Sequence, residues 1–267
     1  MRRIGQLVTR ELKTLARTRT FSLLGVTLAA VLLGIAWVSG SVRAGYVPTV
    51  VDLLTPLELL VPVVAIAFGY RAIASDEQRG ELDILDTYPV TARELVFGVY
   101  IGRAVGLLAV IIIPLGLVAS ATAYLHEEPI ELYATHASAD SPILFVRFIV
   151  LTALFALAVL AVAIAISALA SGTRGALGLS VVTLVILLVG LDLALVYGLA
   201  SGYIGDSSLV DAIAISPLSA YRGLVFETVV VTAAGTGPRA ASPISSVLGL
   251  TVWTIASLAA SIWAVRR

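Results

Sequence analysis

Six long apolar runs, separated by short polar stretches, constrain this chain more than any other feature. They cover approximately residues 21–38, 55–74, 91–124, 143–170, 176–199 and 244–265. A helix needs ~20 apolar residues to cross a hydrocarbon core of roughly 30 Å, and each run is near that length or longer. Charged residues make up only 13% of the chain, against about 25% in soluble domains. The sequence therefore predicts an all-α, polytopic membrane protein with six transmembrane helices in a single domain over residues 1–267.

Residues 1–19 form a basic amphipathic pattern. Apolar side chains recur at three- and four-residue steps, and the basic residues Arg3, Arg10, Lys13 and Arg17 lie off that stripe. The stripe consists of Ile4, Leu7, Val8, Leu12 and Leu15. We expect an interfacial helix in the headgroup layer, with its arginines toward anionic lipid. The segment does not resemble a cleaved signal peptide, so we expect it to stay in the mature protein.

The second apolar run opens with a capping pattern. Thr55 is placed as an N-cap, Pro56 at the first helical position and Glu58 three residues after the cap. This pattern predicts a helix that begins here, after a connection over residues 39–54. It favours Glu58 as a capping carboxylate at the membrane face over a functional acid inside the membrane.

The most charged stretch is a hairpin over residues 75–97, between the second and third runs. Leu82, Leu85 and Tyr88 are spaced for a short amphipathic helix that ends at Pro89. The capping box from Thr91 to Glu94 then begins the next helix. Two interpretations stay open: a rigid surface for a partner, or a solvated hairpin that only returns the chain to the membrane.

Two further features of the spans concern packing and charge. Gly98, Gly102 and Gly106 lie four residues apart in the third run, a spacing that lets another helix approach closely. Asp192 lies inside the fifth run, where a charge near the bilayer centre costs at least ~2.5 kcal/mol. It either lines a polar interior, as a possible transport pathway, or lies nearer a membrane face.

His126 and His136 share a polar loop with several acids, and we interpret them as solvated rather than as metal ligands.

The distribution of basic residues predicts the topology. Of the seventeen Lys and Arg residues, all but Arg43, Arg147, Arg222 and Arg239 fall on the side that holds both termini. The positive-inside rule therefore places both termini and the hairpin in the cytoplasm. The longest segment outside the spans, residues 200–243, is then extracytoplasmic. It is predicted to hold two short helices on, or dipping into, the outer membrane face.

Several classes of function are excluded by what the sequence lacks. It has no cysteine, Met1 is its only methionine and its formal net charge is +0, so thiolate metal sites and strongly basic nucleic-acid binding are excluded. The motifs of zinc proteases, serine hydrolases and P-loop ATPases are also absent. We therefore expect no enzyme activity and no bound cofactor or metal, and any energy for transport must come from a partner or an ion gradient.

Residues 76–102, DEQRGELDILDTYPVTARELVFGVYIG, resemble the cytoplasmic loop of ABC type-2 permeases. That loop carries an acidic residue, a basic residue, Gly-Thr-Leu, apolar residues, Pro-Val, an arginine and a glycine. Glu81 stands here in the place of the family's threonine, and the late lysine is replaced near Arg103. The matching positions are Glu77, Arg79, Gly80, Leu82, Leu85, Pro89, Val90, Arg93 and Gly98.

The resemblance extends to the rest of the chain. Ser216-Pro-Leu-Ser-Ala-Tyr-Arg222 resembles the family's external segment before the last span. The six spans and the amphipathic start are also similar to the family. The nearest branch looks like the permeases associated with maturation of the copper site of nitrous-oxide reductase.

The resemblance implies a homodimer in the plasma membrane, with each half docked to a cytoplasmic ABC ATPase that holds ATP and magnesium. The hairpin would be the coupling helix, with Leu82, Leu85 and Tyr88 as apolar contacts of the ATPase. Residues 80–89 would dock, and Glu77, Arg79 and Arg93 would supply polar contacts. An extracytoplasmic accessory protein is a further possible partner, and the cargo would be a sulfur species before it would be copper. The alternative is a secondary transporter that uses Asp192 without an ATPase.

Overall fold

The computed structural model describes residues 2–75, 91–126, 140–205, 208–235 and 241–266. Over these residues the chain forms helices and no strand. An amphipathic helix over Arg2–Arg17 comes first, and six helices that follow it are long and apolar enough to cross a membrane. These six spans are Arg19–Val38, Tyr46–Gly69, Ala92–Leu125, Pro142–Leu169, Thr173–Ala200 and Pro243–Val265. The predicted all-α, six-span class is confirmed.

The fourth span is the centre of the bundle. In its most apolar window 72% of residues are buried, against 11% in the fifth span. It packs on the second, third and sixth spans. Small side chains allow this close packing: a Cβ added at Gly69 of the second span would lie only 2.4 Å from the Cβ of Ala163. The fifth span, in contrast, presents most of its surface outward.

The second span begins earlier than the sequence pattern predicted. Its helix starts at Tyr46 and runs through Thr55, so the predicted N-cap at Thr55 and the capping role of Glu58 are wrong. The Asp140 carboxylate caps the true start, accepting hydrogen bonds from the amides of Tyr46 and Val47 at 2.8 Å each. Because Asp140 is distant in the sequence, no local pattern could place this cap.

Two prolines lie inside the second span without ending it. Pro56 and Pro62 each remove a helix hydrogen bond, a loss that transmembrane helices tolerate where neighbouring helices hold the backbone. Val50, Leu53 and Leu57 are fully buried around the first of them. The helix ends at Gly69, and the chain then turns toward the hairpin.

Two π-helical turns interrupt the described helices, one in the fifth span and one in the segment that follows it. The fifth span includes a π-helical turn over Ile186–Gly190, and Asp192 follows it. Between the fifth and sixth spans, the helix Pro217–Val225 continues through a second π-helical turn, Phe226–Val230, into Val231–Ala234. We call Pro217–Val225 the inserted helix, because most of its residues are buried and it packs on the second, fourth and sixth spans.

Candidate functional site

The structure describes only the base of the predicted coupling hairpin. Glu77, Arg79, Gly80, Leu82, Leu85, Tyr88 and Pro89 lie outside the described residues. Arg93 is described and is exposed in the first turn of the third span. The capping box is confirmed: the Thr91 amide donates to the Glu94 carboxylate at 2.9 Å, and the Glu94 amide donates to the Thr91 hydroxyl at 3.3 Å. The third span therefore has a well-defined start directly after the hairpin residues that lie outside the described range.

The turn that leads from the second span into the hairpin is held by the fourth span. The Ser167 hydroxyl is fully buried and accepts hydrogen bonds from the amides of Ile73 and Ala74, at 3.0 and 3.1 Å. These two amides belong to the turn that follows the second span. One hydroxyl of the most buried span thus fixes the chain shortly before the hairpin begins.

Arg103 joins three helices near the same base. Its Nε donates to the Glu11 carboxylate at 2.7 Å, and its Nη1 donates to the Phe68 carbonyl at 3.0 Å. Glu11 belongs to the N-terminal helix and Phe68 to the last turn of the second span. The Glu11 side chain is 4% exposed and that of Arg103 is 13% exposed, so this ion pair is shielded from solvent.

The three predicted packing glycines face the N-terminal helix. A Cβ at Gly98 would lie 2.7 Å from the Leu7 Cβ, and one at Gly102 would lie 2.5 Å from the Glu11 Cβ. At Gly106 the nearest atom would be a Leu15 methyl carbon at 2.6 Å. The glycines therefore form a groove in the third span that receives one face of the N-terminal helix. This helix packs against a span in addition to having an amphipathic surface.

A second polar cluster joins the fifth span to the inserted helix. Asp192 Oδ1 accepts hydrogen bonds from the hydroxyls of Ser216 and Ser219, both at 2.7 Å. Ser216 also caps the inserted helix by accepting from the Ser219 amide. Asp192 is only partly buried. Two short hydrogen bonds give its carboxylate a structural role at the start of the inserted helix.

Arg222 connects the inserted helix to the middle of the second span. Its guanidinium donates from Nε to Glu58 Oε1 at 2.7 Å and from Nη2 to Glu58 Oε2, a bidentate ion pair. The Glu58 side chain is 6% exposed, while that of Arg222 is 45% exposed. Hydrogen bonds to Glu58 raise the pKa of Arg222 further above its usual value. Glu58 is therefore an ion-pair partner deep in the bundle.

Tyr221 anchors the inserted helix to the fourth span. Its ring stacks on Phe155 with centroids 4.7 Å apart, and its hydroxyl lies 2.9 Å from the Thr152 hydroxyl. Burial raises the pKa of Tyr221 above its usual range, so the phenol stays neutral. The inserted helix is thus bound to the second, fourth and fifth spans through three adjacent polar contacts.

Within the described part of the chain, no group of three or more His, Asp or Glu side chains is arranged to hold a metal ion. Of the two histidines considered as ligands, His126 ends the third span and His136 lies outside the described residues.

Comparison with known proteins places these features in a family. The family model described as ABC-2 family transporter protein matches residues 7–267. The chain belongs to this family. It is 28% identical over 132 residues to the probable ABC transporter permease protein NosY of Stutzerimonas stutzeri, covering 48% of each chain. It is 32% identical over 117 residues to the protein of the same name from Pseudomonas aeruginosa, covering 42% of each.

This ABC-2 permease thus aligns with about half the length of the curated relatives it matches. The family and the relatives confirm an ABC transporter permease subunit that resembles NosY. They also agree with a multi-pass membrane protein, as the six apolar helices indicate.

Sequence reasoning missed the charged residues that organise this permease. Glu11 and Arg103 were not singled out as a pair, although Glu11 lies four residues from Leu7 and from Leu15, in line with the apolar stripe. An acid in that line is a signal that a basic partner faces it. Glu58 and Arg222 carried no comparable signal, because nothing local relates the two positions.

Proposed function

We propose that this permease couples ATP hydrolysis by a separate cytoplasmic ATPase to export, or to work on an extracytoplasmic partner. The proposal includes a homodimer in the plasma membrane with both termini cytoplasmic. The hairpin over residues 75–97 is then the coupling helix. The family resemblance suggests this role. The fixed residues on either side of the hairpin support it, because a helix transmits force only when its ends are fixed.

One observation supports this function most directly: the second span joins the hairpin base to the inserted helix. At one end, Arg103 binds the Phe68 carbonyl and Ser167 binds the amides of the following turn. Along the same helix, Glu58 binds Arg222 of the inserted helix. Between Glu58 and Phe68 the helix is continuous, a distance of about 15 Å at 1.5 Å per residue. A displacement at the hairpin would therefore reach the inserted helix through one anchored turn and one continuous helix.

The cargo is proposed from the chemistry of the chain. Cysteine is absent and Met1 is the only methionine, so the soft ligands that copper(I) prefers are missing. We therefore favour a sulfur species, or mechanical work on an accessory protein, over passage of the metal. Stoichiometric copper on the purified permease would contradict this choice.

Co-purification from the native membrane tests ATPase coupling. Tagged wild type is compared with a Leu82→Asp, Leu85→Asp double variant and with a Leu82→Met, Leu85→Met control that keeps the apolar surface. We expect an ATPase subunit to accompany the wild type and the control but not the aspartate variant. Absence of an ATPase from all three samples would contradict the proposal.

That negative result would favour the alternative, a secondary transporter that uses Asp192. The hydrogen bonds from Ser216 and Ser219 to Asp192 favour a structural role for this carboxylate. An Asp192→Asn variant separates the two functions. A coupled permease should retain ATPase binding in this variant, whereas an ion-driven transporter should lose its dependence on the ion gradient.

A further inference from the structure

An open pocket of about 250 Å³ lies between the end of the second span and the start of the fifth span, lined by Tyr70, Arg71, Thr173, Arg174 and Leu177. Both arginines are exposed. Arg71 follows the second span and Arg174 lies in the first turn of the fifth span, so the pocket brings together two positive charges that are far apart in sequence. A guanidinium offers a planar fork of N–H donors that matches a phosphate oxygen pair.

Neither arginine has a carboxylate partner among the described residues. The three ion pairs found there involve Arg10, Arg103 and Arg222. The Arg71 guanidinium lies over the Tyr70 ring, 6.0 Å from its centroid. That contact leaves its N–H donors available to an anion. Among the described residues, the pocket therefore presents donors without a carboxylate partner, at the same end of the bundle as the hairpin base.

An apolar stripe continues from this pocket along the fifth span. Leu177, Val181 and Val185 follow one another at four-residue steps and are 54%, 56% and 57% exposed. Residues four apart lie on one face of a helix. Ala176 and Ser180 are buried on the inward face, so the stripe faces away from the bundle. A ligand in the pocket thus meets charge at one end and apolar surface along the helix.

We propose that this pocket binds the headgroup phosphate of an anionic phospholipid, with an acyl chain along the stripe. The shared chemistry is that of a phosphate group, and a free phosphate would use the same arginines. A lipid, unlike a free phosphate, would also use the exposed apolar stripe that starts at the pocket. Basic pockets between spans on the cytoplasmic side attract anionic headgroups by this combination of charges and apolar walls. This inference does not depend on ATPase coupling.

The test measures the melting temperature of the purified permease in detergent during titration with lipid. Wild type is compared with an Arg71→Gln, Arg174→Gln variant and with an Arg43→Gln, Arg266→Gln control. The control also removes two exposed positive charges, but both lie outside the pocket and outside the basic N-terminal helix. Three additives are used: phosphatidylglycerol, phosphatidylcholine and inorganic phosphate.

We expect phosphatidylglycerol to raise the melting temperature of wild type and of the control. The pocket variant should need at least about tenfold more lipid for the same rise in melting temperature. An Arg71→Lys, Arg174→Lys variant should lie between them. Equal stabilisation by phosphatidylcholine, or an unchanged response of the pocket variant, would overturn the proposal.

Two further outcomes would replace the lipid by another partner. If inorganic phosphate alone reproduces the shift, the pocket is a site for a free anion. If the pocket variant keeps its lipid response but loses ATPase in co-purification, the arginines belong to the docking surface of the ATPase. Either result rejects the lipid.

Discussion

Glu11 is an acid in line with the apolar stripe of the N-terminal helix, four residues from Leu7 and from Leu15. Its burial is tolerated because Arg103 of the third span neutralises it at 2.7 Å. Arg103 is in turn fixed by the Phe68 carbonyl. The N-terminal helix therefore has one register on the third span, whereas a helix held only by headgroups could slide.

Replacing Glu11 by Gln should destabilise the protein. The variant leaves Arg103 without its counter-charge, and breaking a shielded pair from one side costs on the order of 3 kcal/mol. Thermal unfolding in detergent should show a clearly lower melting temperature. Lys13→Gln, on the exposed face of the same helix, is the matched control and should change little. Equal stability of the two variants would show that the pair does not hold the helix.

Ser167 is the second single residue with a large expected effect. In Ser167→Ala, the amides of Ile73 and Ala74 lose their acceptor, and a buried unsatisfied donor costs about 1–3 kcal/mol. Amide hydrogen exchange at these two positions should become faster. Ser180→Ala is the control, because the Ser180 hydroxyl is buried without a partner among the described residues, so its removal should be neutral or stabilising. Unchanged exchange in Ser167→Ala would contradict the anchor.

At the scale of elements, the glycine groove of the third span and the N-terminal helix form one packing unit. Gly98, Gly102 and Gly106 give the backbone contact, and Leu7, Glu11 and Leu15 fill it. Small residues at such spacing permit close approach between helices in a membrane. The N-terminal helix thereby contacts the third span, which directly follows the hairpin.

Gly102→Ala should separate these two helices. The added methyl group would meet the Glu11 Cβ at 2.5 Å, and overpacking of this kind costs about 1–3 kcal/mol. Gly116→Ala in the same helix is the control, since a Cβ there meets nothing within 4 Å and helix propensity favours alanine. We expect a lower melting temperature for the first and an equal or higher one for the second. A higher melting temperature for Gly102→Ala than for Gly116→Ala would contradict close packing of the N-terminal helix in the glycine groove.

The sequence predicted the elements better than their connections. Apolar length placed all six spans, and a local capping box placed the start of the third. The predicted start of the second span is ten residues late (first helical residue Pro56 against Tyr46), because its cap comes from Asp140, beyond the third span. The pairs Glu11–Arg103 and Glu58–Arg222 likewise join distant segments. Local patterns report local hydrogen bonds, and these contacts depend on how the spans pack.

At the scale of the whole molecule, the natural absence of cysteine makes the topology directly testable. A single cysteine is introduced at Tyr203, which is 84% exposed, or at Arg266, which is also exposed. With both termini cytoplasmic, a membrane-impermeant maleimide should label the Tyr203 variant in intact cells and the Arg266 variant only after lysis. Labelling of the Arg266 variant in intact cells would contradict the predicted orientation.

If the proposed ATPase coupling holds, the link between Glu58 and Arg222 should carry its conformational change to the segment over residues 200–243. With a single cysteine at the exposed Thr232, the labelling rate of the wild-type complex should differ between nucleotide-free and ATP-vanadate-trapped states. Glu58→Gln should reduce that difference by about fivefold or more, while ATPase binding is retained.

Asp52→Asn is the control for this experiment, because Asp52 lies on the same helix but outside the pair. It should preserve the nucleotide-dependent difference. If Glu58→Gln also preserves it, force reaches the external segment by another route.

The π-helical turn at Ile186–Gly190 has a consequence for comparing this chain with its relatives. Such a turn is equivalent to an α-helix with one residue inserted. Each residue of an α-helix turns the chain by about 100°, so loss of one residue here would swing Asp192 away from Ser216 and Ser219. A relative with a regular fifth helix would need a one-residue gap at this point in an alignment. Without that gap, an alignment would pair Asp192 with a residue on another face of the helix, and would miss an acid at the equivalent position in space.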